Sequence, residues 1–335
     1  MYWLGYVYIG SYGHYSKWND MAEDGHYYIP EVPDCKPWLE ELLENCSRYG
    51  MTNIFVSLNN AMVFPSHPEL AYKGARTAKW MNDFVKRAKA RGVVPIPELN
   101  FGNHQACFLN EYARMLSTPT YYKVARDLLK DVYEAFDRPP IINIGMDEET
   151  YTHLVITKGN YWSHKEVISW RTRELFYHDA NYLGEVITRL GARPMMCSDV
   201  SWWHNQKWME PEAKPYEMFD RISKNMIMEN WVYTDFSKVG TDNEHARIKD
   251  FKLLEERGYD QIPTCSACYD IRNIRGFLEY MRNNLDPKKL LGIQVDEWSG
   301  PSVILRSWAE VARCRAELWP EEEERIRKHF KKFGG

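Results

Sequence analysis

Short apolar runs alternate with stretches of helical period along this chain. That pattern predicts parallel strands joined by crossover helices. The apolar runs are expected as strands at Tyr2 to Ile9, Asn53 to Leu58, Val93 to Leu99, Ile141 to Met146, Pro194 to Ser198, Asn225 to Asn230, Gln261 to Cys265 and Leu290 to Val295. The segments between them read as helices. Asp34 is placed to cap the first, which carries Trp38, Leu39, Leu42, Leu43 and Cys46 at helical spacing before Gly50 ends it. Helical spacing also marks Thr118 to Phe136, Lys165 to Leu190, Pro211 to Ile222, Glu244 to Arg257, Ile271 to Asn284 and Val303 to Leu318. Eight repeats with nothing left over predict one (β/α)8 TIM barrel over residues 1–335, an α/β fold in a single domain.

Composition narrows the partners. The balance of 43 basic against 47 acidic residues, without a basic stripe, speaks against nucleic acid. No window is apolar for about 18 residues, so no membrane span is expected. The start, "MYWLGYVYIG", has neither a basic lead nor a small-residue cleavage site. The chain reads as soluble and cytoplasmic, with secretion open if a leader has been removed. Seven cysteines at irregular spacing favour a reducing compartment over a disulfide framework. Cys265 and Cys268 form a C-x-x-C without a second pair, and no H-x-H or H-E-x-x-H spacing occurs, so neither metal nor cofactor is expected. The one excess is aromatic, with 13 Trp and 22 Tyr. Aromatic faces pack against the C–H faces of sugars, so a carbohydrate is the expected partner. Nothing in the sequence fixes an oligomeric state.

Barrel enzymes place their chemistry beyond the C-terminal ends of the strands. Here that rim gathers Glu98, Asn100 and His104 after strand 3, and Asp147, Glu148 and Glu149 after strand 4. It continues with Asp199, Trp202 and Trp203 after strand 5, Glu229, Asn230, Trp231 and Tyr233 after strand 6, Tyr269 and Asp270 after strand 7, and Asp296, Glu297 and Trp298 after strand 8. The opposite ends offer only Pro139, Pro140, Arg193 and Lys289. In strand 4 the period of two turns Ile142, Ile144 and Met146 toward the helices, and Asn143, Gly145 and Asp147 toward the axis. Three adjacent carboxylates repel one another, so one of them should hold a proton near neutral pH, as a general acid must.

The segment "INIGMDEET" resembles the strand-4 signature of glycoside hydrolase family 20, the β-N-acetylhexosaminidases, in which an apolar strand reaches a Gly and then an Asp-Glu pair. "VVPIPELNFGNH" resembles the family's third strand, "GARPMMCSDVSWW" its fifth and "IMENWVYTDF" its sixth, so the likeness spans roughly residues 90–235. It implies substrate-assisted hydrolysis with retention, in which the 2-acetamido oxygen of the sugar attacks the anomeric carbon. On that basis Asp147 would orient the acetamido group, and Glu148 would protonate the leaving oxygen and then activate water. Glu149 is left to tune Glu148 or meet solvent. Trp231 and Trp298 would wall the sugar, Tyr233 or Tyr269 would donate to the acetamido oxygen, and His104, Asp199 and Glu297, with Glu98, Asn100 and Trp202, would bind the rest of it; strand alternation keeps Trp202 and Trp203 from both facing inward. Strand 1 departs from the family, which ends it with an Asp and an Arg that grip the outer hydroxyls; this chain has "YVYIGSYGHYS". Another acetamido sugar, or cleavage inside a chain, therefore stays open. So do a glycosidase with Glu297 or Glu229 as a covalent nucleophile, and a sugar-binding barrel without turnover.

Overall fold

A computed structural model describes residues 1–8, 36–102, 106–147, 171–199, 216–236, 244–296 and 301–334. Eight parallel strands form the barrel: β1 (Tyr2–Tyr8), β2 (Asn53–Ser57), β3 (Val94–Glu98), β4 (Ile141–Asn143), β5 (Arg193–Cys197), β6 (Ile227–Glu229), β7 (Thr264–Ser266) and β8 (Gly292–Asp296). Each pairs with its neighbour in sequence, β8 returns to β1, and the seam between β6 and β7 is closed by bridges Met228↔Gln261 and Trp231↔Thr264. Helices follow the strands in turn: α1 (Lys36–Tyr49), α2 (Ala78–Ala90), α3 (Pro119–Ala135), α4 (Arg173–Leu190), α5 (Met218–Arg221), α6 (Glu244–Glu256), α7 (Arg272–Asn284), α8 (Pro301–Leu318) and α9 (Pro320–Lys331). The (β/α)8 architecture expected from the alternation is the one observed.

Local chemistry sets the helix starts. Thr77, Thr118 and Thr172 each accept a hydrogen bond from the backbone N–H three residues on, capping α2, α3 and α4. Several boundaries differ from the sequence reading. β4 stops at Asn143 instead of Met146, because Gly145 and Met146 take left-handed backbone with φ of 64° and 67°. Gln261 contributes isolated bridges rather than a continuous strand start. Of the helix expected over Pro211 to Ile222, the described part is the single turn of α5. Asp34 and residues 165–170 lie outside the described residues. Helix α9 was not expected; it covers the N-terminal ends of the strands, where Glu322 accepts from the Trp3 indole at 3.1 Å and His329 Nε2 lies 2.7 Å from the Gly92 carbonyl.

Inside the barrel the alternation produces two layers. Leu4, Phe55, Ile96, Ile141, Met195, Ile227 and Ile262 fill the lower part as one apolar cluster, and the helices pack on a separate outer core. One pleat higher, the inward positions turn polar: Glu98, Asn143, Cys197, Glu229, Thr264 and Gln294, all buried. The β3–β4 seam is thin. β3 uses Val94 N–H and the Glu98 carbonyl toward β2, so Pro95 and Pro97, which lack an N–H, fall on the β4 side, where Glu98↔Asn143 is the one register pair. Beyond that pair the two segments continue side by side as loops, and these loops carry the candidate site.

Candidate active site

The loop after β3 and the tip after β4 are held together by backbone and by one side chain. Leu99 N donates to the Asn143 carbonyl at 3.0 Å, and Phe101 N donates to Ile144 at 2.9 Å. Asn100 stands between them. Its Oδ1 accepts from the N–H groups of Gly102 (2.9 Å) and Met146 (3.1 Å), and its Nδ2 donates to Asp147 Oδ1 at 2.5 Å. Its own N–H donates to Asn59 Oδ1 at 3.2 Å, so the tips of β2, β3 and β4 form a single relay. Two glycines make this approach possible. A Cβ on Gly145 would lie 2.2 Å from the Asn100 side chain, and one on Gly102 would lie 2.6 Å from the Asp147 carbonyl oxygen. Asp147 is thereby fixed, half-buried, at the mouth of the barrel.

Below it sits a buried acid pair. Glu229 accepts hydrogen bonds from Asn143 Nδ2 (2.8 Å), Thr264 Oγ1 (3.0 Å) and Gln294 Nε2 (2.7 Å), with the Cys197 thiol at 3.7 Å. Burial raises its carboxyl to about 7, with Asp147 adding to the rise, while the Thr264 and Asn143 bonds pull it back. Glu98, which accepts from the Tyr6 hydroxyl at 3.2 Å, is pushed well above the carboxylate range by burial and then by Glu229. Repulsion disfavours ionising both, and the donors around Glu229 stabilise its charge, so Glu98 is the member held more strongly in its protonated form. Glu98→Gln is expected to keep the melting temperature nearly unchanged, because one neutral acceptor for Tyr6 replaces another. Glu229→Ala is expected to lose roughly 3 kcal/mol or more in urea unfolding, because three buried donors lose their acceptor. Equal losses in the two variants would contradict this assignment.

An aromatic flank rises from β6. Trp231 and Tyr233 stack with centroids 5.0 Å apart and planes 17° from parallel, and Tyr269 follows, 6.4 Å from Tyr233. The Tyr233 hydroxyl donates to Asp296 Oδ2 at 2.8 Å, and burial with that carboxylate raises the phenol well above its ordinary value. Tyr269, by contrast, is 77% exposed. Asp199 is buried just past β5.

Of the residues singled out from the sequence, Glu98, Asn100, Asp147, Asp199, Trp231, Tyr233 and Tyr269 are thus placed at the C-terminal face, with Glu229 and Asp296 beside them. Glu148, Glu149, His104, Trp202, Glu297 and Trp298 lie outside the described residues. The sequence reading did not anticipate Thr264 and Gln294 as partners of Glu229; the same period of two that set Asn143 inward marks them. Among the described residues no group of three or more His, Cys, Asp or Glu is arranged to hold a metal ion, and no helix is long and apolar enough to cross a membrane.

No protein-family model matches the chain, and no curated protein matches it in sequence. Solved structures do match in fold. A β-N-acetylhexosaminidase from Bacteroides fragilis superimposes with a TM-score of 0.61 at 12% identity, covering 99% of this chain and 71% of its own. Dispersin B superimposes with a TM-score of 0.54 at 13% identity, covering 95% of this chain and 99% of its own. A family 20 exo-β-N-acetylglucosaminidase from Vibrio harveyi, solved with N-acetylglucosamine, gives 0.53 at 14% identity over 93% of this chain. This chain spans 57% of the length of that Vibrio enzyme. At these identities the likeness establishes the barrel that the chain shares with glycoside hydrolase family 20.

Proposed function

We propose that this chain, built on the family 20 barrel, is a glycoside hydrolase that cleaves β-linked 2-acetamido sugars with retention, using the substrate's own acetamido oxygen as nucleophile. The observation that carries the reading is Asp147. It stands at the tip of β4 with one carboxylate oxygen fixed by Asn100, and the next residue in sequence is Glu148.

In this mechanism the acetamido oxygen forms a bond to the anomeric carbon as the glycosidic C–O bond breaks, and Glu148 gives its proton to the leaving oxygen. Positive charge grows on the acetamido nitrogen, where the Asp147 carboxylate accepts the N–H and stabilises it. Water then opens the cyclised sugar at the anomeric carbon, losing its proton to Glu148, and the product keeps the β configuration. Trp231, Trp202 and Trp298 wall the sugar ring. Tyr233 or Tyr269 donates to the acetamido oxygen; the Tyr233 hydroxyl is already directed at Asp296. Asp199, Glu297, His104 and Glu149 remain for the sugar hydroxyls and the aglycone.

The competing assignment of Glu229 as a covalent nucleophile is disfavoured by its surroundings. Both its oxygens accept hydrogen bonds from side chains within the barrel, and the residue is 4% exposed. An attacking oxygen needs a free lone pair facing the substrate.

Release of 4-nitrophenol from paired β-glycosides, with and without the 2-acetamido group, tests the reading. Turnover of the acetamido members alone is expected. Turnover of plain glucosides or galactosides would remove substrate assistance, and silence throughout would point to a sugar-binding barrel.

A further inference from the structure

Arg171 is a charged side chain with no exposure at all, placed behind the site rather than in it. Its Nη2 donates to the Phe101 carbonyl at 2.8 Å, and its Nη1 lies 3.3 Å from Asp179 Oδ2 and 3.9 Å from the Met146 sulfur. The guanidinium also lies 5.7 Å from the centroid of the Phe176 ring. Asp179, equally buried, sits on α4 and accepts from the Ser117 hydroxyl (2.8 Å) and the Tyr122 hydroxyl (2.7 Å).

The sequence neighbours of these contacts give them meaning. Phe101 follows Asn100, and Met146 precedes Asp147. Phe101 is pinned on both sides, its N–H to the Ile144 carbonyl just past β4 and its carbonyl to Arg171. Met146 holds left-handed backbone, which a long side chain takes only when its surroundings enforce it. Asn100 Oδ1 fixes its N–H in front, and Arg171 meets its sulfur behind. A planar guanidinium reaches a carbonyl, a carboxylate and a sulfur in three directions, which an ammonium on a single stem does not.

We propose that Arg171, charge-balanced by Asp179, is a positioning residue that clamps the two loops from behind and so holds the Asn100–Asp147 contact in register for catalysis. The inference rests on the role given to Asp147 above.

The test uses Arg171→Lys in the full chain, with Arg171→Met/Asp179→Asn as the second variant, which removes the buried charge pair together should the first fail to fold. Melting temperature, kcat and KM on an aryl 2-acetamido-β-glycoside, and inhibition by a thiazoline analogue of the cyclised sugar are measured. A crystal structure of the variant completes the set. The folded variant is expected to lose about 100-fold in kcat, the scale of a catalytic group displaced by about 1 Å. KM should stay within roughly threefold, thiazoline affinity should fall with kcat, and Asn100 Nδ2 should move out of hydrogen-bond reach of Asp147. Unchanged kcat, or a contact kept intact while only the melting temperature drops, would overturn the proposal. If the unmodified protein turns over no acetamido glycoside, the functional reading fails, and the variant's crystal structure alone decides the clamp: a kept contact overturns it, a lost one supports it.

Discussion

Glu148→Gln is expected to lower kcat by about a thousandfold on an acetamido glycoside with an alkoxide leaving group, the range that a positioned general acid supplies. The loss should depend on the leaving group. A 2,4-dinitrophenolate departs without protonation, so for that glycoside bond cleavage should be nearly unimpaired, and the slow step should become opening of the cyclised sugar by water. Azide needs no general base, and adding it should restore turnover and yield the β-glycosyl azide. An equal loss for both leaving groups, with no response to azide, would remove Glu148 from the acid–base role.

The second large effect is expected at Asp147. Asparagine there can still accept from Asn100 Nδ2, so the relay from Asn59 through Asn100 survives and the fold should be unaffected. The negative charge that meets the acetamido nitrogen is lost. Removing one such preorganised electrostatic partner costs on the order of 10²–10³ in kcat. Asp147→Asn should therefore retain the melting temperature and lose turnover on that scale, with the greater part of the change in kcat rather than KM. A variant that loses stability in parallel with activity would instead assign Asp147 to holding the loops.

The strand-4 region also illustrates how far the sequence was legible. The period of two in "INIGMDE" sets Asn143 toward the axis, and the structure finds Asn143 bonded to Glu229 there, while Ile142, Ile144 and Met146 pack in the outer core. The same alternation in "GIQVDE" turns Gln294 and Asp296 inward and leaves Ile293 and Val295 to the helices. Hydrophobic periodicity thus carried the barrel and the composition of its mouth, because one buried face constrains every second residue. It could not show that β4 would end early. Met146 has no intrinsic preference for left-handed backbone; that conformation comes from Asn100 and Arg171, which are 46 and 25 residues away in the chain.

Long-range polar partnerships were similarly hidden. Arg171 and Asp179 stand eight residues apart within the helix expected over Lys165 to Leu190, where nothing marks them as partners, yet both are fully buried, and the Phe101 carbonyl that Arg171 meets lies 70 residues earlier. The raised carboxyl of Glu98 comes from its burial and then from the charge of Glu229, neither of which a linear pattern encodes. Helix α9 escaped for a different reason. Its run of Glu321, Glu322, Glu323 and Glu324 reads as solvated charge, whereas Glu322 and Glu323 bind Trp3 and Arg315 beneath the barrel and only Ile326 and Phe330 are buried.

The central claim is that the substrate's acetamido oxygen is the nucleophile, with Asp147 orienting the group through its N–H. Its most direct test is kcat/KM of the unmodified protein on aryl β-glucosaminides carrying acetyl, fluoroacetyl, difluoroacetyl and trifluoroacetyl groups on the 2-amino nitrogen. Each fluorine withdraws electron density from the attacking oxygen while changing the size of the group little. Substrate assistance predicts a steep, continuous fall along the series; rates that stay level across the four substrates would contradict it and require a nucleophile from the protein.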